Sequence, residues 1–165
     1  MQNNSDLRAD FLRAMRNVAN SVTVVTTDGA AGKQGATVSS FCSVSADPPT
    51  LLVCLNANSR IYEAVLANEE FCVNVLPGGQ SETSQRFAGF HDEKFEDRFE
   101  GIAVETGYNG APILTNATSF VCSLDQMVQS GSHGIFIGIV SKISRGKDDP
   151  LIYLNGQYRQ IAKKD

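Results

Sequence analysis

The stretch ATVSSFCSVSADPP, residues 36–49, alternates as a β-strand does, yet it carries no charge before Asp47. Taking every second residue, one face presents Thr37, Ser39, Phe41, Ser43 and Ser45, and the other presents Val38, Ser40, Cys42 and Val44. Period-2 alternation is the signature of a strand. A strand face that meets water is usually charged; this one offers short neutral hydroxyls around one aromatic ring. Two readings fit the row. It is a solvated edge, or it grips a ligand with many donors and acceptors. Pro48 and Pro49 end the strand, because proline lacks the N–H that a ladder needs and restricts the residue before it.

Working outward, residues 21–27 (SVTVVTT) form a β-branched run and read as a strand. The turn-rich DGAAGKQG, residues 28–35, links it to the hydroxyl row. Upstream, Leu7, Phe11, Met15 and Val18 recur at helical steps, so residues 6–19 read as an amphipathic helix with Ser5 as N-cap. Downstream, TLLVCLN, residues 50–56, reads as a strand buried on both faces. Ser59 then caps a short helix over residues 60–67, with Ile61 and Val65 facing inward. Further strands are expected at residues 71–76, 102–105, 120–129 and 134–144, with a short helix at 81–88. HDEKFEDRFE, residues 91–100, is a charged loop holding Phe95 and Phe99. LIYLNGQYRQI closes the chain as a hairpin turning on Asn155-Gly156. There is no regular strand–helix alternation, repeat or Pro/Ser-rich linker. A parallel doubly wound sheet is therefore disfavoured, and a single domain over 1–165 is expected: an antiparallel barrel, mainly β, with peripheral helices.

The chain has 165 residues, 42% hydrophobic and 19% charged, with a formal net charge of −4. That is a globular balance, and the acidic charge disfavours a non-specific nucleic-acid binder. No apolar run reaches the length of a membrane helix, and the N-terminal stretch has no apolar core of a signal peptide; no membrane association and a cytoplasmic location are expected. Cys42, Cys54, Cys72 and Cys122 each sit in an apolar strand-like segment, and none forms a CxxC pair. They read as buried reduced thiols rather than as a metal site.

Catalytic signatures are sparse. Gly29, Gly32 and Gly35 are spaced by three and link two strands, so they are neither a dinucleotide fingerprint nor a P-loop. His91 lies in the charged loop and reads as a surface residue. His133 lies in SGSHGIF, between Gly131 and Gly134, where glycines allow tight turns and close approach. It reads equally as a turn histidine or as a site group. After the strand at 50–56 comes NANSR, residues 56–60, at a helix start. Helix N–H groups, a hydroxyl and an arginine make a phosphate site. With the hydroxyl strand next door, one half suits a ring and polyol and the other a phosphate. Flavin mononucleotide has those parts.

At these residues the chain resembles the short-chain NAD(P)H:flavin oxidoreductases, the reductase components of two-component flavin monooxygenases. The likeness runs from FLRAMRNVANSVTVVTTDGAAGKQG through GATVSSFCSVSADPPTLLVCLNANS, FCVNVLPGGQSETSQRFAG, GAPILTNATSFVCSL and GSHGIFIGIV to PLIYLNGQYR. The ordered set is far more specific than any one motif. The resemblance implies a split β-barrel that binds FMN or FAD at a homodimer interface, uses NADH or NADPH, and supplies a monooxygenase partner. Carried over by position, Thr37, Val38, Ser39 and Ser40 would hold the isoalloxazine edge and ribityl chain. Leu55, Asn56, Ser59 and Arg60 would serve the ribityl and phosphate end. Phe87 and Phe95 would approach the outer part of the flavin, Tyr158 the cofactor mouth, and His133 the place where nicotinamide stacks. The family's usual GTH is GSH here, which keeps the hydroxyl. Many members carry a tryptophan before the GxPxL motif; this chain has none, and Tyr108 stands just upstream of that motif.

Such a reaction needs no acid–base dyad. A hydride passes from nicotinamide to flavin N5, so the protein must hold two rings at about 3–3.5 Å and steady charge on the reduced ring with fixed donors. Two other readings stand beside this one: a flavin-bound reductase of another acceptor, such as a corrinoid or iron complex, and a non-catalytic flavin- or haem-binding barrel.

Overall fold

The computed structural model describes residues 4–107 and 110–162; Tyr108 lies outside the described residues. A seven-stranded antiparallel sheet dominates. Its strands, in spatial order, are β3 (Gln34–Val38), β2 (Thr23–Thr27), β6 (Glu70–Val75), β9 (Thr118–Ser130), β10 (His133–Ser144), β5 (Pro49–Asn56) and β4 (Phe41–Ala46). The two outermost strands, β3 and β4, are consecutive in the chain and are separated only by Ser39 and Ser40. A flat sheet of this width cannot satisfy a two-residue link between its edges, so the sheet curls until they meet. Cys54 N–H donates to the Ser40 carbonyl at 3.1 Å, and the Thr23 hydroxyl to the Val38 carbonyl at 2.8 Å, fastening the junction from both sides.

The row expected as one strand over residues 36–49 is therefore two strands. The break at Ser39-Ser40 re-aims the backbone, and only the first half of the hydroxyl row reaches a concavity. Ser43 and Ser45 lie on the exposed edge strand β4, where the Ser45 hydroxyl and the Asp47 backbone bond to each other in the turn before Pro48.

β2 is buried along its whole length, which is why it is a run of Val and Thr. Val25 belongs to a core with Val53, Leu55, Phe71 and Phe136, capped by Ile61, Tyr62 and Val65 of helix α2 (Arg60–Asn68). Val24 points the other way, into a second core with Leu76, Phe87, Phe99, Leu114 and Leu151 beside helix α3 (Ser81–Phe87). β5 does not have two equally buried faces as its apolar run implies. Leu51, Val53 and Leu55 are buried, while Leu52 and Cys54 are half-buried on the other face.

Smaller pieces complete the molecule. A three-stranded sheet joins β1 (Asn20–Ser21), β11 (Ile152–Leu154) and β12 (Gln157–Arg159). Its hairpin turns on Asn155 and Gly156 at φ 53° and 74°, the positive pair that a two-residue turn needs. β7 (Val104–Thr106) pairs with β8 (Pro112–Leu114), a strand with no clear periodic signal in the sequence. The leading helix α1 (Asn4–Met15) is shorter than the pattern implied, and its apolar side is not inward: Leu7, Phe11, Leu12 and Met15 are all exposed. The thiols also divide. Cys72 and Cys122 are buried, Cys54 is half-buried and Cys42 is exposed, which corrects the reading of four core thiols. No helix among the described residues is long and apolar enough to cross a membrane.

One buried side chain ties the layers together. Asn74 on β6 donates to the Val24 carbonyl and the Thr26 hydroxyl, each at 3.1 Å, and accepts from Leu114 N–H at 2.9 Å and the Ser119 hydroxyl at 2.8 Å. β2, β6, β8 and β9 thus meet at one amide, and removing it strands several buried polar groups. Burial pushes the neighbouring Cys72 thiol up to about 12, so it sits there as an uncharged packing group. Asn74→Ala is expected to lose about 2–4 kcal/mol in urea unfolding; an unchanged midpoint would show that the amide does not hold the layers.

Candidate functional site

The cleft lies where the ends of β3, β5 and β10 meet the start of α2. It measures about 260 Å³ and brings together Thr37, Val38, Ser39, Ser40, Leu55, Asn56, Ser59 and His133. Ala36, Cys54 and Ile61 complete its apolar lining. The register explains the convergence: Asn56, the last residue of β5, pairs with His133, the first of β10. The link Ser39-Ser40 leaves β3 just across from them.

The hydrogen bonds divide the polar residues into those already committed and those with capacity left. The Thr37 hydroxyl donates to the Ser84 carbonyl at 2.7 Å, tying β3 to α3. Asn56 Oδ1 accepts the Asn58 N–H at 2.9 Å, and its main-chain carbonyl accepts both the N–H and the hydroxyl of Ser59, at 2.9 and 2.6 Å. Ser59 is therefore not the hydroxyl cap that its position implies. Its side chain turns back to the loop, and no side-chain cap covers the first turn of α2. The Ser39 and Ser40 hydroxyls and the Asn56 Nδ2 make no hydrogen bond among the described residues. His133 is exposed at the mouth, with Nδ1 3.0 Å from the Ser132 hydroxyl. Burial pushes the Cys54 thiol up, so it too lines the cleft uncharged. No lysine, arginine, aspartate or glutamate lines this cleft.

Arg60 lies next door, in a second cleft of about 200 Å³ with Lys33, Asp97 and Arg98. The two clefts border each other at consecutive residues, Gly35–Ala36 and Ser59–Arg60. Lys33 pairs with Asp97 at 3.1 Å. Burial works against the Asp97 carboxylate, but the Phe99 N–H and Lys33 together hold it below its usual range. Arg98 clamps residues 91–100 to β3 and the end of α3, bonding both Asp92 oxygens at 2.8 and 2.6 Å, the Phe87 carbonyl at 3.0 Å and the Gly35 carbonyl at 3.3 Å. Its hydrogen bonds hold Asp92 below the usual carboxylate range. A lowered folded value means the clamp is fully present at neutral pH and is lost as pH falls through that value. Arg60 itself has no ion pair among the described residues.

Three expected site residues lie elsewhere. Phe87 is buried at 1% exposure and packs edge-on against Phe99, 4.9 Å between ring centroids; it supports Gly35 from beneath and does not reach the cleft. Phe95 lies under the Arg86 guanidinium, 3.6 Å from its ring centre. Tyr158 bonds the Ser84 hydroxyl at 3.0 Å and lines a third cleft of about 180 Å³ with Phe90 and Tyr153. That cleft shares Thr37, Val38 and Ser39 with the main one, so Tyr158 stands on the far side of the same strand end. Sequence reading missed Cys54, Lys33, Phe90 and Tyr153. Strand alternation singles out Cys54 as facing away from Val53 and Leu55; the other three carry no local signal.

No group of three or more His, Cys, Asp or Glu suited to a metal ion occurs among the described residues. The arrangement suits a flat heteroaromatic ligand that carries a polyol and an anionic tail. Neutral donors line the cleft itself, and the start of α2, without a side-chain cap, lies with Arg60 at one end.

The comparisons with known proteins agree with this class of site. Residues 15–162 match the flavin reductase like domain family. The FMN reductase (NADH) RutF of Stutzerimonas stutzeri (strain A1501) is 36% identical over 158 residues, covering 94% of this chain and 90% of that protein. Among solved structures, the NADH:FAD oxidoreductase SgcE6 of Streptomyces globisporus C-1027 superposes with a TM-score of 0.88 at 28% identity, covering 100% of this chain and 93% of that one. BorF, the flavin reductase component of a bacterial two-component tryptophan halogenase, superposes at 0.85 with 31% identity, covering 94% and 99%. The chain belongs to the flavin reductase like domain family.

Replacing Arg60 by alanine is expected to weaken FMN far more than riboflavin, by about 1.5–3 kcal/mol for the charge-assisted bond lost. Titration calorimetry with both ligands checks this; equal losses would remove Arg60 from the phosphate end.

Proposed function

We propose that the protein is an NADH-dependent flavin reductase that binds FMN in the cleft between Ser39 and His133 and delivers reduced flavin to a monooxygenase component. The observation that carries this reading is the convergence of Ser39, Ser40, Asn56, Ser59 and His133 on one cleft without a carboxylate, bordered by Arg60. The curated relatives named FMN reductase (NADH), at 36–40% identity, support FMN and NADH over FAD and NADPH.

When bound, the flavin supplies the two-electron acceptor chemistry. The work of the chain is positional and electrostatic. Ser39, Ser40 and Asn56 present uncharged donors to the ring edge and polyol. Such donors act on developing negative charge without changing protonation state. Val38, Leu55 and Ile61 exclude water from the ring, which strengthens those interactions. Arg60 and the start of α2 hold the phosphate. His133, exposed at the mouth, orients the nicotinamide.

The curled sheet closed only by Ser39-Ser40 is read as a split barrel, and a second copy of the chain is its partner. β4 is an exposed outer strand with no charged side chain, an edge that proteins usually protect. Val44 on β4 and Ile139 on β10 are exposed on either side of the Thr50 position of β5, two apolar side chains flanking a threonine. Four unpaired cysteines support a reducing, cytoplasmic setting.

Two measurements test the reading. Mixed anaerobically with NADH and FMN, the protein is expected to bleach the flavin, and His133→Ala to lower turnover or nicotinamide affinity at least fivefold, about 1 kcal/mol. No bleaching refutes the enzyme. For the assembly, light scattering is expected to give twice the chain mass, falling to one chain in Val44→Glu with Ile139→Glu; a monomeric wild type refutes the pair.

A further inference from the structure

The turn between β9 and β10 that carries His133 depends on glycine. Gly131 sits at φ +56°, a conformation in which glycine has little resistance to peptide rotation. Something must therefore hold its carbonyl if the next two residues are to point in a fixed direction. Two supports reach this turn from residues 56–62. Ala57 N–H donates to the Ser132 carbonyl at 2.9 Å. From α2, the Tyr62 hydroxyl donates to Gln129 Oε1 at 2.8 Å, and Gln129 Nε2 donates to the Gly131 carbonyl at 2.9 Å.

Tyr62 is built to make this reach. It is 7% exposed, and its ring stands edge-on to Phe136 with centroids 5.1 Å apart. Gly134 lies flat against the ring: a Cβ there would come within 2.6 Å of Tyr62 Cε2. The glycine after His133 thus makes room for the tyrosine that braces the turn before it.

We propose that Tyr62 is a positioning residue for His133, acting through Gln129 and the Gly131 carbonyl to fix the direction in which the imidazole leaves the turn. The proposal rests on the reading that His133 meets the nicotinamide. It adds a link between the two ends of the site. Tyr62 lies two residues beyond Arg60 on α2, so the helix start that faces the flavin phosphate also sets the histidine.

The test uses Tyr62→Phe, which keeps the ring and its packing, and Gln129→Ala at an exposed position. The chain has two histidines, so the imidazole signals of His133 can be followed by NMR with His91 as internal control. Both variants are expected to shift or broaden the His133 ring signals and leave those of His91 in place. NADH KM is expected to rise roughly three- to tenfold, the scale of one neutral hydrogen bond, with FMN affinity within about twofold of wild type. In a His133→Ala background, Tyr62→Phe is expected to add nothing. Unmoved His133 signals overturn the proposal, as does an equal further loss in the His133→Ala protein. If the signals move but His133→Ala leaves NADH kinetics intact, the positioning chain stands and the nicotinamide role of His133 falls. If His133→Ala is impaired but the signals do not move, the positioning chain falls and that role stands.

Discussion

The two-residue link Ser39-Ser40 is the constraint on which the rest of the structure depends. It joins the outermost strands of a seven-stranded sheet, so the sheet has to roll, and the place where its rims meet is fixed by covalent geometry. Once rolled, the concave side is filled by Val25, Val53, Phe71 and Phe136 and plugged by α2. The ends of β3, β5 and β10 are then brought to one spot beside the start of that helix. The cleft thus lies beside the link, and the hydroxyls there include those of the linking residues themselves.

Charge is sorted around this seam. The main cleft is lined by neutral groups and one imidazole, whereas Lys33, Arg60, Asp97 and Arg98 gather in the neighbouring cleft. Segregation of this kind keeps fixed charges out of the low-dielectric part of the site, where an unpaired one would be costly. Asp92 engages Arg98 within the loop, while Lys33, through Asp97, and Arg98, through the Gly35 carbonyl at 3.3 Å, hold residues 91–100 against the start of β3. Arg60 forms no ion pair among the described residues, though its charge helps hold Asp92 below the usual carboxylate range.

Much of this was legible in the chain. The strands at 21–27, 71–76 and 134–144 announce themselves by β-branched residues, that at 50–56 by its continuous apolar run, and the Asn155-Gly156 hairpin by its turn chemistry. Of the expected site residues, those within a few positions of Ser39 or Asn56 fall together, because strand and cap signals are local. Phe87 and Phe95 illustrate the limit. An aromatic in a charged stretch packs against whatever tertiary neighbour arrives, here Phe99 and the Arg86 guanidinium, and no spacing rule names that neighbour. Ser59 shows a finer distinction. It holds the N-cap position of α2 as its place in the sequence marks it, yet its hydroxyl donates to the Asn56 carbonyl and makes no side-chain cap bond. The break at Ser39-Ser40 was hidden because alternation continues through it, and α1 misled because helical periodicity identifies an apolar stripe without saying what covers it.

The uneven shielding of the four sulfurs has a practical side. Cys72 and Cys122 are sealed among apolar neighbours, where burial pushes both thiols up, and Cys54 is partly screened. Cys42 alone lies in the open, on the outer rim of the rolled sheet. Alkylation should therefore fall first on that rim. A fluorophore or spin label placed there would act as a local gauge of what, if anything, comes to rest against it, without cutting or redesigning the chain.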